Sequence, residues 1–140
     1  MIVLDTDHIS FLQLKASPEA KRLTDRLDLS HEPIGTTIIS AEEEMRGWLT
    51  RIARESKPLN QIGPYLRLQS LFGFYSQWRI LPWTEAAAEE FATLRASRIR
   101  IATMDLKIAC IALTNDALLL TRNTVDFERV PGLKFSDWLS

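Results

Sequence analysis

The sequence predicts an α/β fold with a mainly parallel central sheet of four to five strands, covered on both faces. Two observations carry this. Short, continuously apolar runs alternate with longer stretches of helical pattern, and a strand apolar on both sides is one buried between helix layers. The chain has 140 residues, 46% hydrophobic and 25% charged, values of an ordinary globular protein able to bury a core. A single domain over residues 1–140 is expected.

The elements follow in order. Ile2 to Leu4 reads as a buried first strand that meets Asp5. Thr6 or Asp7 is placed to cap a helix running to Leu14. Ser17 and Pro18 have the pattern of an N-cap and first helical residue for a second helix in SPEAKRLTDRL. Pro33 and Gly35 bracket a turn, and Thr36 or Thr37 to Ser40 is a β-branched second strand.

A helix over AEEEMRGWLTRIARES breaks near Pro58, and another begins near Pro64. Arg79 to Pro82 reads as a third strand, after which Thr84 caps the helix former EAAAEEFATLRASRIR. Thr103 is placed to cap MDLKIACIALTND. Ala117 to Asn123 reads as a fourth strand, followed by a helical turn and a last strand near Lys134 and Phe135.

Composition excludes some classes. The N-terminal segment carries an acid at position 5 and lacks a signal-peptide pattern. No apolar run approaches the ~18 residues of a membrane span, and a cytoplasmic setting is expected. The lone Cys110 cannot form an internal disulfide and lies in the apolar run LKIACIAL, as a packed thiol would. The net charge of -1 does not advertise a nucleic-acid binder, but local fields matter more than the sum.

In a parallel α/β fold the site forms at the carboxyl ends of the strands, so the polar residues after strands are the ones to weigh. Asp5 ends the first strand. Glu43 is expected in the first turn of the helix after the second, and Asp105 in the first turn of the helix before the fourth. Asn123 and Asp126 follow that strand. Each has a structural explanation too: Glu43 stands at capping-box spacing from Ser40, and Asp105 suits the helix dipole. Asp5 is harder to dismiss, because a carboxylate at the end of a buried strand is costly without a partner.

Together the acids point to a cation. Carboxylates within ~4 Å of one another repel by about 1 kcal/mol per pair even at water's dielectric. An all-oxygen donor set suits Mg²⁺ or Mn²⁺. Zinc is disfavoured, since His8 and His31 are the only histidines and Cys110 has no second cysteine. A pair of carboxylate-bound divalent ions supports phosphodiester hydrolysis.

At this point the sequence resembles PIN domains, and most closely the VapC toxins of toxin–antitoxin pairs. VLDTDHIS is similar to the family's opening motif with its first metal acid. TTIISAEEEMRG is similar to a strand followed by an acid four residues before a glycine, and counting back from Gly47 selects Glu43. ATMDLKIACIAL resembles the Asp before an apolar helix, selecting Asp105, and LLLTRNTVDFERVPGLKFSDW resembles the closing segment. The resemblance implies a PIN-like three-layer α/β/α fold, Mg²⁺- or Mn²⁺-dependent RNA cleavage and neutralisation by a cognate antitoxin. It implies that Asp5 and Asp105 are metal ligands, Glu43 a ligand or water-positioning acid, and that Asn123 and Asp126 complete the catalytic pocket. Three departures stand out: Asp7 and His8 after the first acid, the very acidic EEEM, and Arg98 to Ala102 where the family often has a glycine.

Basic residues that could rim the pocket and hold RNA are Arg46, Arg98, Arg100, Lys107 and Arg122, with Arg51, Arg54 and Arg95 nearby in sequence. Phe11, Leu12, Trp48, Leu49, Leu71, Phe72, Phe74 and Trp78 exceed the needs of a small core, and some are expected to form a homodimer face or an antitoxin groove. The rival reading is a haloacid-dehalogenase-like phosphatase with Asp5 as nucleophile and Asp7 as general acid. Against it, Ile9 stands where Thr or Val is expected, and the paired late acids are missing. A phosphorylated receiver module would need an acceptor Asp after the third strand, where Pro82-Trp83-Thr84 stand. A non-catalytic PIN-like binding module is the remaining alternative.

Overall fold

The computed structural model describes residues 1–14 and 16–140. Among the described residues five strands, β1 (Ile2–Leu4), β2 (Ile34–Thr37), β3 (Arg79–Leu81), β4 (Leu118–Leu120) and β5 (Lys134–Ser136), form one sheet in the order β3-β2-β1-β4-β5. Every pairing is parallel. The strand carboxyl ends therefore share one edge. The chain moves outward from β1 through β2 to β3, then crosses to place β4 on the other side of β1. In parallel α/β sheets such a reversal of strand order is where functional groups gather, beyond the carboxyl ends of the strands, here β1 and β4.

Alternation along the strands divides the core in two. Val3 and Leu119 point to one face, where they pack with residues of α5 (Glu85–Ala96) and α6 (Thr103–Thr114) and with Phe127 of α7 (Thr124–Phe127). Ile2, Leu4 and Leu120 point to the other. There they meet α1 (Thr6–Leu14), α2 (Pro18–Ser30) and α4 (Ile62–Tyr75). α3 (Ile38–Arg54) serves both faces, with Ile39 in the first cluster and Ala41 in the second. Cys110 is fully buried in α6, and burial pushes its thiol up to about 12, which fits packing rather than reactivity.

Several boundaries differ from the sequence reading for identifiable reasons. β2 lies earlier than expected and ends at Thr37, because Ile38 and Ile39 already belong to α3. Thr37, not Ser40, caps that helix by accepting the Ser40 amide at 3.1 Å. The β-branched Ile38-Ile39 pair suggested strand, yet a side-chain cap and burial of Ile39 decide for helix. Ser40 and Glu43 therefore form no capping box, and Glu43 lies in the second turn.

α5 stops at Ala96, short of Arg100, and Arg98 takes φ 58. Arg98 thus occupies the left-handed position that favours glycine after a helix, which gives a physical meaning to the missing glycine. Thr103 opens α6 without acting as its side-chain cap. Ser17 and Thr84 cap α2 and α5 as their spacing predicts. Among the described residues no helix is long and apolar enough to cross a membrane.

Candidate metal centre at the carboxyl edge of the sheet

Asp5, Glu43 and Asp105 each offer a carboxylate oxygen, and these oxygens lie within 4.8 Å of one another. Three separate elements deliver them. Asp5 follows β1 directly, Glu43 sits in the second turn of α3, and Asp105 sits in the first turn of α6. Their separation in sequence makes the cluster a product of the parallel sheet.

Asp5 is buried and held on both oxygens. One accepts the Thr6 amide at 2.7 Å and the other the Thr121 hydroxyl at 2.8 Å. Burial and the negative charge of Asp7 nevertheless push its carboxyl up from 3.8 to about 7, against the pull of those two donors. Glu43 accepts the Thr6 hydroxyl at 3.0 Å, and its carboxyl is also raised, first by burial and then by nearby acids. Asp105 is raised by burial and by the Asp126 charge, while Asn123 pulls it back. All three acids are thus short of positive charge.

Asn123 reaches both remaining acids: its amide nitrogen donates to Asp105 at 3.2 Å and to Asp126 at 2.9 Å. Asp126 also lies 3.4 Å from the Arg129 guanidinium. Asp126 is not in the 4.8 Å group; it borders that group through Asn123. A donor set of three carboxylates, each raised by burial and like charge, fits a hard divalent cation that would relieve the repulsion.

The basic candidates divide. Arg122 is exposed next to Asn123, its guanidinium 5.5 Å from the Phe11 ring centre. Lys107 is half-buried, two residues after Asp105 and so on a different face of α6, and lies over Trp83 and Phe91. Arg98 and Arg100 are exposed in the loop before α6. Arg46 is exposed and ion-paired with Glu42 one helical turn away, so its charge is already partly engaged.

Sequence reading missed Thr6 and Thr121, the hydroxyls that fix Glu43 and Asp5. The available signal was a hydroxyl beside each apolar strand end. It also missed the contacts of Asp7, which accepts the Arg122 amide at 2.9 Å and the His8 ring at 2.7 Å.

A second surface feature lies on the α1, α2 and α4 side. A groove of about 1590 Å³ is lined by Leu12, Trp48, Leu71, Phe74 and Trp78, with Glu44, Lys21 and Arg67 supplying charge. Five of the eight surplus apolar residues meet here. Leu49 and Phe72 are exposed outside it.

A five-stranded parallel sheet between helical layers, with acids gathered at its carboxyl edge, defines a class that sequence comparison identifies. The profile of the PIN domain matches residues 2–133, and the chain belongs to the PIN-domain family. Within that family it is similar to VapC proteins. It is 34% identical over 79 residues to the tRNA(fMet)-specific endonuclease VapC of Shigella flexneri; the match spans 54% of this chain and 60% of that protein. Its fold is similar to the structure of VapBC-1 from nontypeable Haemophilus influenzae, at 26% identity, TM-score 0.75 and 100% of both chains. It is similar to the DNA-bound VapBC of Salmonella typhimurium, at 26% identity, TM-score 0.75 and 99% of both chains. The family match supersedes the phosphatase and receiver alternatives.

Proposed function

We propose that the chain is one PIN domain over residues 1–140 and acts as a divalent-metal-dependent endoribonuclease, the toxin of a toxin–antitoxin pair. The observation that carries this reading is the meeting of Asp5, Glu43 and Asp105 oxygens within 4.8 Å. Mg²⁺ or Mn²⁺ is the cofactor, held by Asp5 and Asp105 with Glu43 as third ligand or water-positioning acid. When bound, such an ion supplies a water of lowered pKa and positive charge for the departing oxygen.

The chain's own residues do the rest. Thr6 and Thr121 hold Asp5 in one orientation. The Thr6 hydroxyl ties Glu43 to the same turn. Asn123 bridges Asp105 and Asp126, its amide nitrogen donating to both carboxylates. Arg122, Lys107, Arg98 and Arg100 are the residues proposed to attract an RNA backbone, with Arg46 farther along α3. A single-stranded loop best fits an open edge of this kind.

An antitoxin is the proposed occupant of the apolar groove, where an amphipathic segment would bury the aromatic lining; that similar proteins were solved as VapBC supports this. A homodimer is proposed, with exposed Leu59, Ile62, Leu66 and Phe72 in and beside α4 as its apolar face. The proposed setting is the cytoplasm.

The test is RNA cleavage by purified protein with Mg²⁺ or Mn²⁺ and with EDTA. Cleavage is expected only with metal, and Asp5→Asn or Asp105→Asn is expected to lower it by at least about 10²-fold with the fold intact by circular dichroism. Full cleavage in EDTA, or by either variant, refutes the metal mechanism. Expression without antitoxin is expected to arrest growth and Glu43→Gln to relieve it; normal growth with abundant folded protein counts against the toxin role.

A further inference from the structure

We propose that Asp7 and His8 form a positioning pair for the carboxylate site, linking the seat of the C-terminal segment Asp137–Leu139 to the turn that carries Asn123. The proposal rests on the metal-site reading above and assigns roles to two residues outside the ligand set.

His8 lies in the first turns of α1 with its side chain 0% exposed. Both ring nitrogens are engaged. Nε2 lies 3.2 Å from the Trp138 backbone N–H, which can only donate, so Nε2 supplies a lone pair and the ring proton sits on Nδ1. That proton points at the Asp7 carboxylate, 2.7 Å away. Asp137 is 3.7 Å from Nε2, beyond hydrogen-bond reach, and its oxygen accepts the Leu139 amide at 2.8 Å instead.

The second Asp7 oxygen accepts the Arg122 amide at 2.9 Å across 115 residues of sequence. The next residue is Asn123, whose own amide donates to Thr121 Oγ1 at 3.1 Å. Thr121 in turn donates to Asp5, and the Asn123 side chain to Asp105 and Asp126. The Arg122 peptide therefore sets the place of two residues that orient the site acids. Asp7 anchors that peptide, His8 fixes the Asp7 rotamer, and the Trp138 amide fixes His8.

The arrangement needs a carboxylate at position 7. An amide there could accept from Arg122, but its NH₂ would face the His8 Nδ1 proton. Moving that proton to Nε2 would set it against the Trp138 N–H. A carboxylate so close to Asp5 also costs repulsion, since Asp7 is among the charges that raise the Asp5 carboxyl. That cost is accepted at a place where a neutral side chain cannot satisfy both donors.

The experiment is Mn²⁺ binding by calorimetry on the folded full-length protein, with melting curves for each variant. His8→Gln places an acceptor near Trp138 and loses the donor to Asp7. His8→Asn keeps a donor for Asp7. His8→Gln and Asp7→Asn are each expected to weaken Mn²⁺ binding by about 10-fold, the usual cost of losing an outer-sphere support. His8→Asn is expected to restore most of that loss. The double variant Asp7→Asn/His8→Gln is expected to cost little more than either alone, because the pair acts as one unit.

Wild-type-like Mn²⁺ affinity in folded Asp7→Asn and His8→Gln overturns the positioning role and leaves the nuclease reading standing. So does equal loss in His8→Gln and His8→Asn that tracks a drop in Tm. Failure of the wild type to bind Mn²⁺ removes the metal-site reading and this inference with it.

Discussion

Glu43 and Glu44 are neighbours in the chain and belong to regions of opposite character. Glu43 turns to the carboxyl edge of the sheet and meets Thr6. Glu44 lines the apolar groove, accepting the Tyr75 hydroxyl and the Gln13 amide, the latter at 3.0 Å. At the sheet edge, polar groups from distant parts of the chain hold one another, and burial and like charge raise the carboxyls of Asp5, Glu43 and Asp105. In the groove, a few hydrogen bonds lock the helices while aromatic surface is left uncovered. One region is built of carboxylates and the other of aromatic and aliphatic side chains. A single helix separates these demands because successive residues point about 100° apart around its axis.

If the two regions are independent, a change in one should leave the other intact. The largest expected effect is in the groove. Phe74→Asp would place a charge among Leu12, Leu71 and Trp78, and is expected to weaken antitoxin binding by ~2 kcal/mol or more, about 30-fold. Mn²⁺ affinity should not change. Titration calorimetry with each ligand separates the two, and a parallel loss of Mn²⁺ binding would join the regions into one.

A change of proton or metal load is expected to act only on the sheet edge. Asp5 is raised from 3.8 to about 7 in the folded protein, and Glu43 and Asp105 are raised as well. Between the unfolded and folded values the native state binds more protons, so its stability is greatest at low pH within that window. In EDTA, Tm is therefore expected to fall as pH rises from 5 to 8. Mg²⁺ at about 100 times its Kd should restore about 2.7 kcal/mol near pH 7–8, a rise of several degrees, with less gain at pH 5. A flat EDTA profile, or equal rescue at both pH values, would remove the repulsion from the account.

The smallest effect separates motif from structure. Gly47 sits in α3 four residues after Glu43, and a methyl group added there meets nothing within 4 Å. Gly47→Ala is expected to stabilise the protein by roughly 0.5–1 kcal/mol through helix propensity, read as a higher Tm, without altering either ligand. Lost RNA cleavage in a more stable Gly47→Ala would show that the glycine is kept for substrate approach. Gly35 is the contrast: an added Cβ would lie 2.8 Å from the Arg79 carbonyl oxygen in the neighbouring strand.

Much of the fold was legible because local rules agreed with one another. Ser17 with Pro18, and Thr84 before Glu85, carry their own helix starts. The apolar triplets of β1 and β4 read as buried strands in any α/β context. Ile34 to Ser40 was less legible, since β-branched residues are compatible with both states and the Thr37 cap settled the boundary. The candidate acids were legible from their place after strands and from family resemblance, one by one.

By itself the sequence determined the alternation of strands and helices, and with it a sheet whose carboxyl ends share an edge. It also determined which acids follow those strands. Only the tertiary structure decided that Thr6, Thr121 and Asn123 orient those acids, and that buried His8 faces Asp7 and Trp138. Such contacts join residues up to 130 apart in sequence. Their geometry depends on how the helices pack on the sheet, which no local pattern encodes.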